Sequence, residues 1–146
     1  MIVNDEIIKD INLARSTLSS EEYSIVLIRD EKILKYKREI GIRSILELIE
    51  EIGDEIKEMV VGDRILGKAS AFLWRYSKIR GIYSPQATKT AIAILIIGGI
   101  PCQADEMIPF IVNNNSNYLS SFEKMLQNVE SPEEAYKILK GNVIMD

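Results

Sequence analysis

A group of charged residues and glycines follows an apolar run in the middle of the chain, and its residue types and spacing suit the binding of a small anion. The group comprises Gly62, Asp63, Arg64, Gly67 and Lys68. The apolar run Val60-Val61 predicts the end of a buried strand, and ligands of α/β proteins usually bind where such a strand gives way to a helix. We predict that Asp63 caps a helix over 63–77, which places Lys68 beside the positive end of the helix dipole.

A second helix start adds to this candidate site. Arg43 and Ser44 follow Gly41 at the beginning of the preceding predicted helix. If both helix starts lie at one edge of a sheet, their backbone N–H groups, together with Arg43 and Lys68, favour a phosphate or a carboxylate. The alternative is that Asp63 only caps its helix and that the basic residues form a solvated face.

The segment 62–68 also matches the pattern G-x-x-x-x-G-K of a phosphate-binding loop. The match fails at Ala69, where that motif requires the serine or threonine that binds Mg²⁺, and no later predicted strand ends in the acidic residue that completes such a site. We therefore predict no nucleoside triphosphatase. Gly67 still favours a ligand, because a glycine within a helix costs about 1 kcal/mol relative to alanine and often marks a close approach.

The composition narrows the classes of function. A chain of 146 residues suits one domain with a sizeable core. Its 18 basic and 22 acidic residues give a net charge of -4, which disfavours a non-specific nucleic-acid binder. The absence of histidine removes the commonest metal ligand, and a single cysteine excludes both an internal disulfide and a cysteine-only zinc site. We predict no metal and no cofactor, and we interpret Cys102 as a small hydrophobic residue.

The chain shows no pattern of a targeting or membrane segment. The N-terminus carries acidic residues and lacks the basic region that precedes the apolar core of a signal peptide. The longest apolar run, 91–100, is about half of what a membrane-spanning helix needs. We therefore expect a cytoplasmic protein with no membrane partner, and we interpret this run as a buried helix.

Hydrophobic periodicity predicts alternating helices and strands along most of the chain. Helices are predicted over 4–18, 42–56, 63–77 and 87–97, and strands over 23–28, 32–36, 58–61, 81–84 and 100–103. The first two strands are close enough for an antiparallel hairpin, and the lysines of the second indicate an edge. Pro85 is predicted to lead into the fourth helix.

The last part of the chain is predicted to contain a polar loop and two helices but no further strand. A polar loop is predicted at Asn113–Asn117, and two capped helices accompany it. Ser120 with Glu123 and Ser131 with Glu134 have the spacing of capping boxes, and the final helix is predicted to end at Gly141.

This order of elements predicts an α/β fold. A hairpin followed by helix-linked strands is typical of a three-layer α/β/α sandwich with a mixed sheet. We predict that residues 1–146 form a single domain with a C-terminal helical extension from about residue 119.

Several short segments resemble a small uncharacterised prokaryotic family with a cytidine-deaminase-like fold. The similarity extends from about Leu13 to Lys140. The segments that carry it are Asp63–Ala71, Tyr23–Val26, Gly41-Ile42, Phe122–Lys124 and Pro132–Ala135. This chain departs from the family at Ser120-Ser121, where members usually have Cys-Pro. The resemblance therefore implies a deaminase-like scaffold, and any role for that thiol is absent here.

The resemblance also implies where a pocket would lie. Zinc deaminases place a histidine or cysteine and a catalytic glutamate at one helix start and Pro-Cys-x-x-Cys at the next. The corresponding segments here, 41–43 and 63–68, contain no such ligand. The resemblance thus implies the scaffold and the pocket without zinc-dependent deamination.

Three hypotheses about function follow. The first is a metal-free deaminase-like domain that binds a small anionic or nucleotide-like molecule at the two helix starts. The second is an enzyme without a metal in which a desolvated Lys68 acts as nucleophile or base. The third is a structural or interaction module that forms a homodimer through an apolar face around Trp74, a residue that we expect to pack against a second subunit or the C-terminal helices.

Overall fold

The computed structural model describes residues 4–109, 111 and 117–143, and for residues 117–120 it describes the backbone alone. The helices are α1 (Asp5–Ser20), α2 (Ile42–Ile52), α3 (Lys68–Ser77), α4 (Lys89–Ile97), α5 (Asn117–Met125) and α6 (Pro132–Gly141). The strands are β1 (Ile25–Arg29), β2 (Lys32–Lys37), β3 (Val60–Asp63), β4 (Ile65–Leu66), β5 (Gly81–Thr88) and β6 (Cys102–Ile108). A 3₁₀ helix, Gly53–Glu58, follows α2.

The strands form one mixed sheet. Strand β1 pairs antiparallel with both β2 and β3, whereas β3, β4 and β6 pair parallel with β5. Strands β3 and β4 lie on the same side of β5, and β6 lies on the other. The predicted α/β class, mixed sheet and hairpin are therefore confirmed, and β2 is an edge strand as its lysines indicated.

Helices cover both faces of this sheet because residues along its central strands alternate between the two. Val26 and Ile28 of β1 pack with the apolar side of α1, whereas Ile25 and Leu27 pack in a larger core with α2, α3 and α4. Buried residues of α5 and α6, among them Leu126 and Leu139, belong to the same larger core.

The prediction that a helix begins at Asp63 is wrong. The strand is interrupted only at Arg64 and resumes as β4, so α3 begins at Lys68 with Gly67 as its N-terminal cap. Residues Ile65 and Leu66 pair with β5 instead of forming the inner face of a helix. The backbone hydrogen bonds of the sheet thus take precedence over the local helical pattern.

The boundary between β5 and α4 also differs from the prediction. Pro85 lies inside β5, and α4 begins at Lys89 after Thr88, whose side chain accepts a hydrogen bond from Ala91 N. The pairing register places Arg64 opposite Pro85. A proline has no N–H to donate, so it fits the one position at which the neighbouring strand is interrupted.

Several further expectations concern the chain after residue 89. The apolar run 91–100 is predicted to be a buried helix, but α4 is only partly buried, since Ile96 and Ile97 are 49% and 73% exposed. Helix α6 and its cap Ser131 are confirmed. The loop predicted at Asn113–Asn117 lies outside the described residues as far as residue 116. Helix α5 begins at Asn117, so Ser120 lies inside this helix and not at its start as predicted. Within the described ranges, no helix has the length and apolar character needed to cross a bilayer.

Candidate ligand-binding site

The start of α3 binds a carboxylate that belongs to the chain itself. Both oxygens of Glu123 accept hydrogen bonds from this helix start, Oε1 from Lys68 N at 2.8 Å and Oε2 from Ala69 N at 2.7 Å. Burial raises the pKa of Glu123 despite these two bonds and the nearby Lys68 charge. The helix start is therefore an anion site, as its position suggests, but Glu123 fills it.

The packing of α5 and the segment after it against the start of α3 accounts for Gly67 and for the position of the Lys68 side chain. A side chain at Gly67 would overlap the Glu123 carboxylate and Ile111, so the glycine marks a close approach within the protein. The Lys68 ammonium donates to Gln127 O at 3.2 Å and lies 5.9 Å from the centre of the Phe72 ring. The ligand role and the chemical role of Lys68 stay predictions.

Asp63 lies at the carboxyl end of β3 and is only 5% exposed. Its Oδ2 accepts a hydrogen bond from Trp74 Nε1 at 2.8 Å, and Ile65 N also donates to its carboxylate. Burial raises the pKa of Asp63 to about 7, against the opposing effect of these two bonds. Trp74 is 0% exposed and lies in the core that also contains Leu139 of α6, as the second of its two predicted environments requires, and the predicted homodimer stays a prediction.

The guanidinium of Arg64 holds the end of α1. Its Nε donates to Tyr23 O at 2.8 Å, and its Nη2 donates to Leu18 O at 2.8 Å and to Glu21 O at 3.0 Å. Carbonyls at the end of a helix lack partners within that helix, so the arginine satisfies groups that would otherwise need water. These bonds give Arg64 a structural role.

Gly62 has a packing role of its own. It lies in β3 opposite Val26, and a side chain at this position would meet Val26 Cγ2 at 2.8 Å and Ala14 Cβ at 3.1 Å. The glycine thus allows α1 to pack closely on the sheet.

The start of α2 differs from that of α3. Gly41, which precedes α2, has a φ of 141°, a value that favours glycine, and as a glycine it provides no capping side chain. A groove of about 570 Å³ adjoins this start. It is lined by Tyr36, Lys37, Arg38, Glu39, Arg43, Ser44 and Glu47. Three of these side chains are basic and two are acidic.

Internal bonds partly occupy the groove. Glu47 accepts a bond from Lys37 Nζ at 3.1 Å and lies 3.5 Å from Arg43 Nε. Ser44 Oγ donates to Glu39 O at 2.9 Å, which anchors the first turn of α2. An anion that enters the groove therefore competes with Glu47 for the basic side chains.

Arg38 is a candidate binding residue that the sequence did not single out. Its guanidinium lies 5.4 Å from the centre of the Tyr23 ring and 5.1 Å from that of Tyr36, and the two rings stack at 4.1 Å. No ion pair of Arg38 occurs among the described residues. Two tyrosines and an arginine near one hairpin were the available signal, but only the pairing of the strands brings them together.

The structure divides the predicted site. Gly41 and Asp63 meet at one small cavity, which Arg64 and Ser70 also line. Arg43 and Ser44 line the groove at the start of α2, whereas Lys68 contacts the segment that follows α5. The cavity thus brings the beginning of α2 and the end of β3 together, and the remaining predicted residues lie in different surroundings.

The described residues do not fit a metal site. They contain no group of three or more histidine, cysteine or acidic side chains that could hold a metal ion. Burial raises the pKa of the Cys102 thiol to about 11, so this cysteine is not poised to form a thiolate. Neither helix start carries the ligands that a zinc deaminase requires.

Comparisons with known proteins identify the family. Among solved structures, the chain is similar to a DUF1893 family protein (TM1506) from Thermotoga maritima, with 23% sequence identity and a TM-score of 0.81. That match covers 97% of this chain and 93% of the other, and at this identity it supports the fold alone. No curated protein matches. A family model described as a domain of unknown function, DUF1893 (TM1506), matches residues 13–143, so the chain belongs to this family.

Proposed function

We propose that the protein is a metal-free domain with the cytidine-deaminase-like, three-layer α/β/α architecture and that it binds a small anionic or nucleotide-like molecule at the start of α2. The mixed sheet with helices on both faces supports the architecture. The observation that carries the binding site is the groove with three basic side chains, Lys37, Arg38 and Arg43, beside a helix start whose N-terminal cap is a glycine.

The proposed site has the groups that an anion needs. The backbone N–H groups of the first turn and the positive end of the helix dipole favour negative charge at the start of α2. Arg43 and Arg38 line the adjoining groove, and the Arg38 guanidinium has aromatic rings as its neighbours. Guanidinium groups bind phosphates and carboxylates through two parallel hydrogen bonds. Ser44 lies in the same lining and provides a hydroxyl group.

The other predicted site residues support this position indirectly. Asp63 and Arg64 form the wall between the start of α2 and the sheet, whereas Gly62, Gly67 and Lys68 set the packing of β3 and α3. The start of α3 is the less suitable place, because an external anion would first have to displace Glu123.

Isothermal titration calorimetry with a panel of nucleotides and sugar phosphates tests the proposal. We expect at least one member of the panel to bind, and we expect Arg38→Ala or Arg43→Ala to weaken that binding about tenfold through the loss of a charge-assisted hydrogen bond. Glu47→Gln removes the internal competitor and should tighten binding. Lys89→Ala is the matched control, because Lys89 is an exposed base at the start of a different helix.

Two results would contradict the proposal. One is the absence of a binding signal for every anion in the panel. The other is binding that Arg38→Ala, Arg43→Ala and Lys89→Ala reduce equally, since this would indicate an effect of net charge and not a site at α2.

A further inference from the structure

The cavity at the end of β3 has a size and a lining that differ from those of the α2 groove. Its volume is about 10 Å³, which is about the space that one water molecule needs. It is lined by Ser24, Ile25, Ile40, Gly41, Ile45, Asp63, Arg64, Ile65 and Ser70. A group no larger than water therefore fits in this cavity, which Asp63 lines.

The carboxylate in this wall has uncharged hydrogen-bond donors. They are the indole N–H of Trp74 and the backbone N–H of Ile65. The charged neighbour, Arg64, directs its guanidinium to backbone carbonyls at the end of α1. The other side chains of the lining are serines and isoleucines. A negative charge on Asp63 is thus buried without a cationic side chain beside it, which is unfavourable unless a cation enters.

Two hydroxyl groups make the lining still richer in hydrogen-bond acceptors. Ser70 is only 2% exposed and lines the cavity. Ser24 Oγ donates to Glu39 O at 2.7 Å, so its lone pairs stay available. Hydroxyl and carboxylate oxygens together suit a small cation that carries several N–H donors.

We propose that this cavity binds one primary ammonium group, either the ammonium ion or the head of a small amine. An ammonium group has about the size of water and donates hydrogen bonds in several directions. A groove of about 310 Å³ shares Ser24, Ile40 and Arg64 with the cavity and leaves room for the remainder of an amine. Arg38 lines both this second groove and the anion groove at α2, whereas the cavity itself shares no lining residue with the anion groove.

Binding at this site depends on pH. The ammonium group requires an ionised Asp63, and burial raises the pKa of that carboxyl group to about 7. The other side chains that line the cavity are Arg64, whose guanidinium bonds to carbonyl groups at the end of α1, and serines and isoleucines. The affinity should therefore be about tenfold lower at about pH 6 than at about pH 8.

Trp74 provides a direct measurement, because it is the only tryptophan of the chain and it bonds to Asp63. We expect a saturable change in its fluorescence with ammonium chloride or methylammonium chloride. Tetramethylammonium chloride at the same ionic strength should produce no such change, because this cation has no N–H donors and is too large. An equal response to all three salts would overturn the proposal. A stronger response to methylammonium than to ammonium would identify an amine as the ligand.

Three variants complete the test. Asp63→Asn keeps an acceptor for Trp74 but loses the charge, so it should weaken ammonium binding at least about tenfold. Asp10→Asn is the control, since Asp10 is also buried but accepts a bond from Glu31 N at a different place. If Asp63→Asn does not fold, Ser70→Ala should still reduce binding, and ammonium should still raise the melting temperature of the wild type. Unchanged binding in Ser70→Ala and Asp63→Asn would overturn the proposal.

Discussion

Asp63 and Trp74 share a hydrogen bond of 2.8 Å in the interior, and this bond keeps an acidic group next to a large aromatic side chain. The indole N–H needs an acceptor because the ring is fully buried, and the carboxyl group provides one. The sequence contains both residues but does not indicate their contact. Asp63 follows an apolar run and a glycine, a pattern that is equally typical of a helix cap.

The raised pKa of Asp63 predicts how stability depends on pH. The carboxyl group titrates at about 7 in the folded protein and near the ordinary value of 3.8 in the unfolded chain. The folded state therefore retains a proton that the unfolded state releases, so this group stabilises the protein fully at low pH and loses that contribution as the pH rises through about 7. Relative to Asp63→Asn, the wild type should lose about 2–4 kcal/mol of unfolding free energy between about pH 4 and pH 8.

Urea denaturation of both proteins across this pH range measures the difference. Other carboxylates cancel in the comparison, among them Asp105, whose pKa is lowered by its hydrogen bond from Tyr83. A difference between the two proteins that is constant with pH would show that Asp63 titrates normally.

At the scale of elements, the start of α3 depends on a residue far away in sequence. Helix α5 supplies Glu123, which caps α3 through Lys68 N and Ala69 N. Gly67 signalled that something approaches the chain closely at this point, but a glycine does not identify what approaches. The sequence also shows Glu123, where its spacing from Ser120 predicts a local cap. Only the packing of α5 on α3 determines which helix start it serves.

Loss of this cap should destabilise the protein. Glu123→Ala removes a carboxylate that accepts two backbone hydrogen bonds and should cost about 1–3 kcal/mol of unfolding free energy. Urea denaturation followed by circular dichroism measures this loss. Amide exchange at Lys68 and Ala69 should also accelerate. Glu130→Ala is the control, since Glu130 is exposed, and an equal effect of the two variants would contradict the capping role.

Most helices and strands follow from local patterns. The amphipathic periods of α1, α2 and α6 and the β-branched runs of the hairpin need no distant information, and these elements are confirmed. The junctions 62–68 and 85–88 were misplaced because their conformation depends on pairing between β4 and β5. Arg38 was overlooked for the same reason, since its aromatic neighbours come from both sides of the hairpin.

For the whole molecule, one side chain links the two faces of the sheet. Helix α1 packs on one face through Ile11, Ala14 and Leu18, and Arg64 ties the end of this helix to the junction between β3 and β4. The same junction leads directly into α3 on the opposite face. A loss of structure at the end of α1 should therefore disturb the junction between β3 and β4, and a disturbance of that junction should loosen the end of α1.

Arg64→Ala should loosen this link. The variant loses three hydrogen bonds to carbonyl groups and should be about 2–3 kcal/mol less stable, with faster amide exchange at Glu21, whose N–H bonds to Thr17 O. Denaturation and native-state amide exchange check both effects. Arg29→Ala removes an exposed ion pair with Glu58 and should change stability by less than about 0.5 kcal/mol. A loss in Arg64→Ala no larger than this would exclude the link.

The lysines of β2 also have a consequence for how copies of the protein meet in concentrated solution. Lys32, Lys35 and Lys37 border a strand whose outer backbone groups have no neighbouring strand in the described sheet. Lys35 and Lys37 form ion pairs with Glu51 and Glu47, so a second molecule that paired along this border would have to displace or bury these charges. The lysines thus oppose growth into fibrils through this edge.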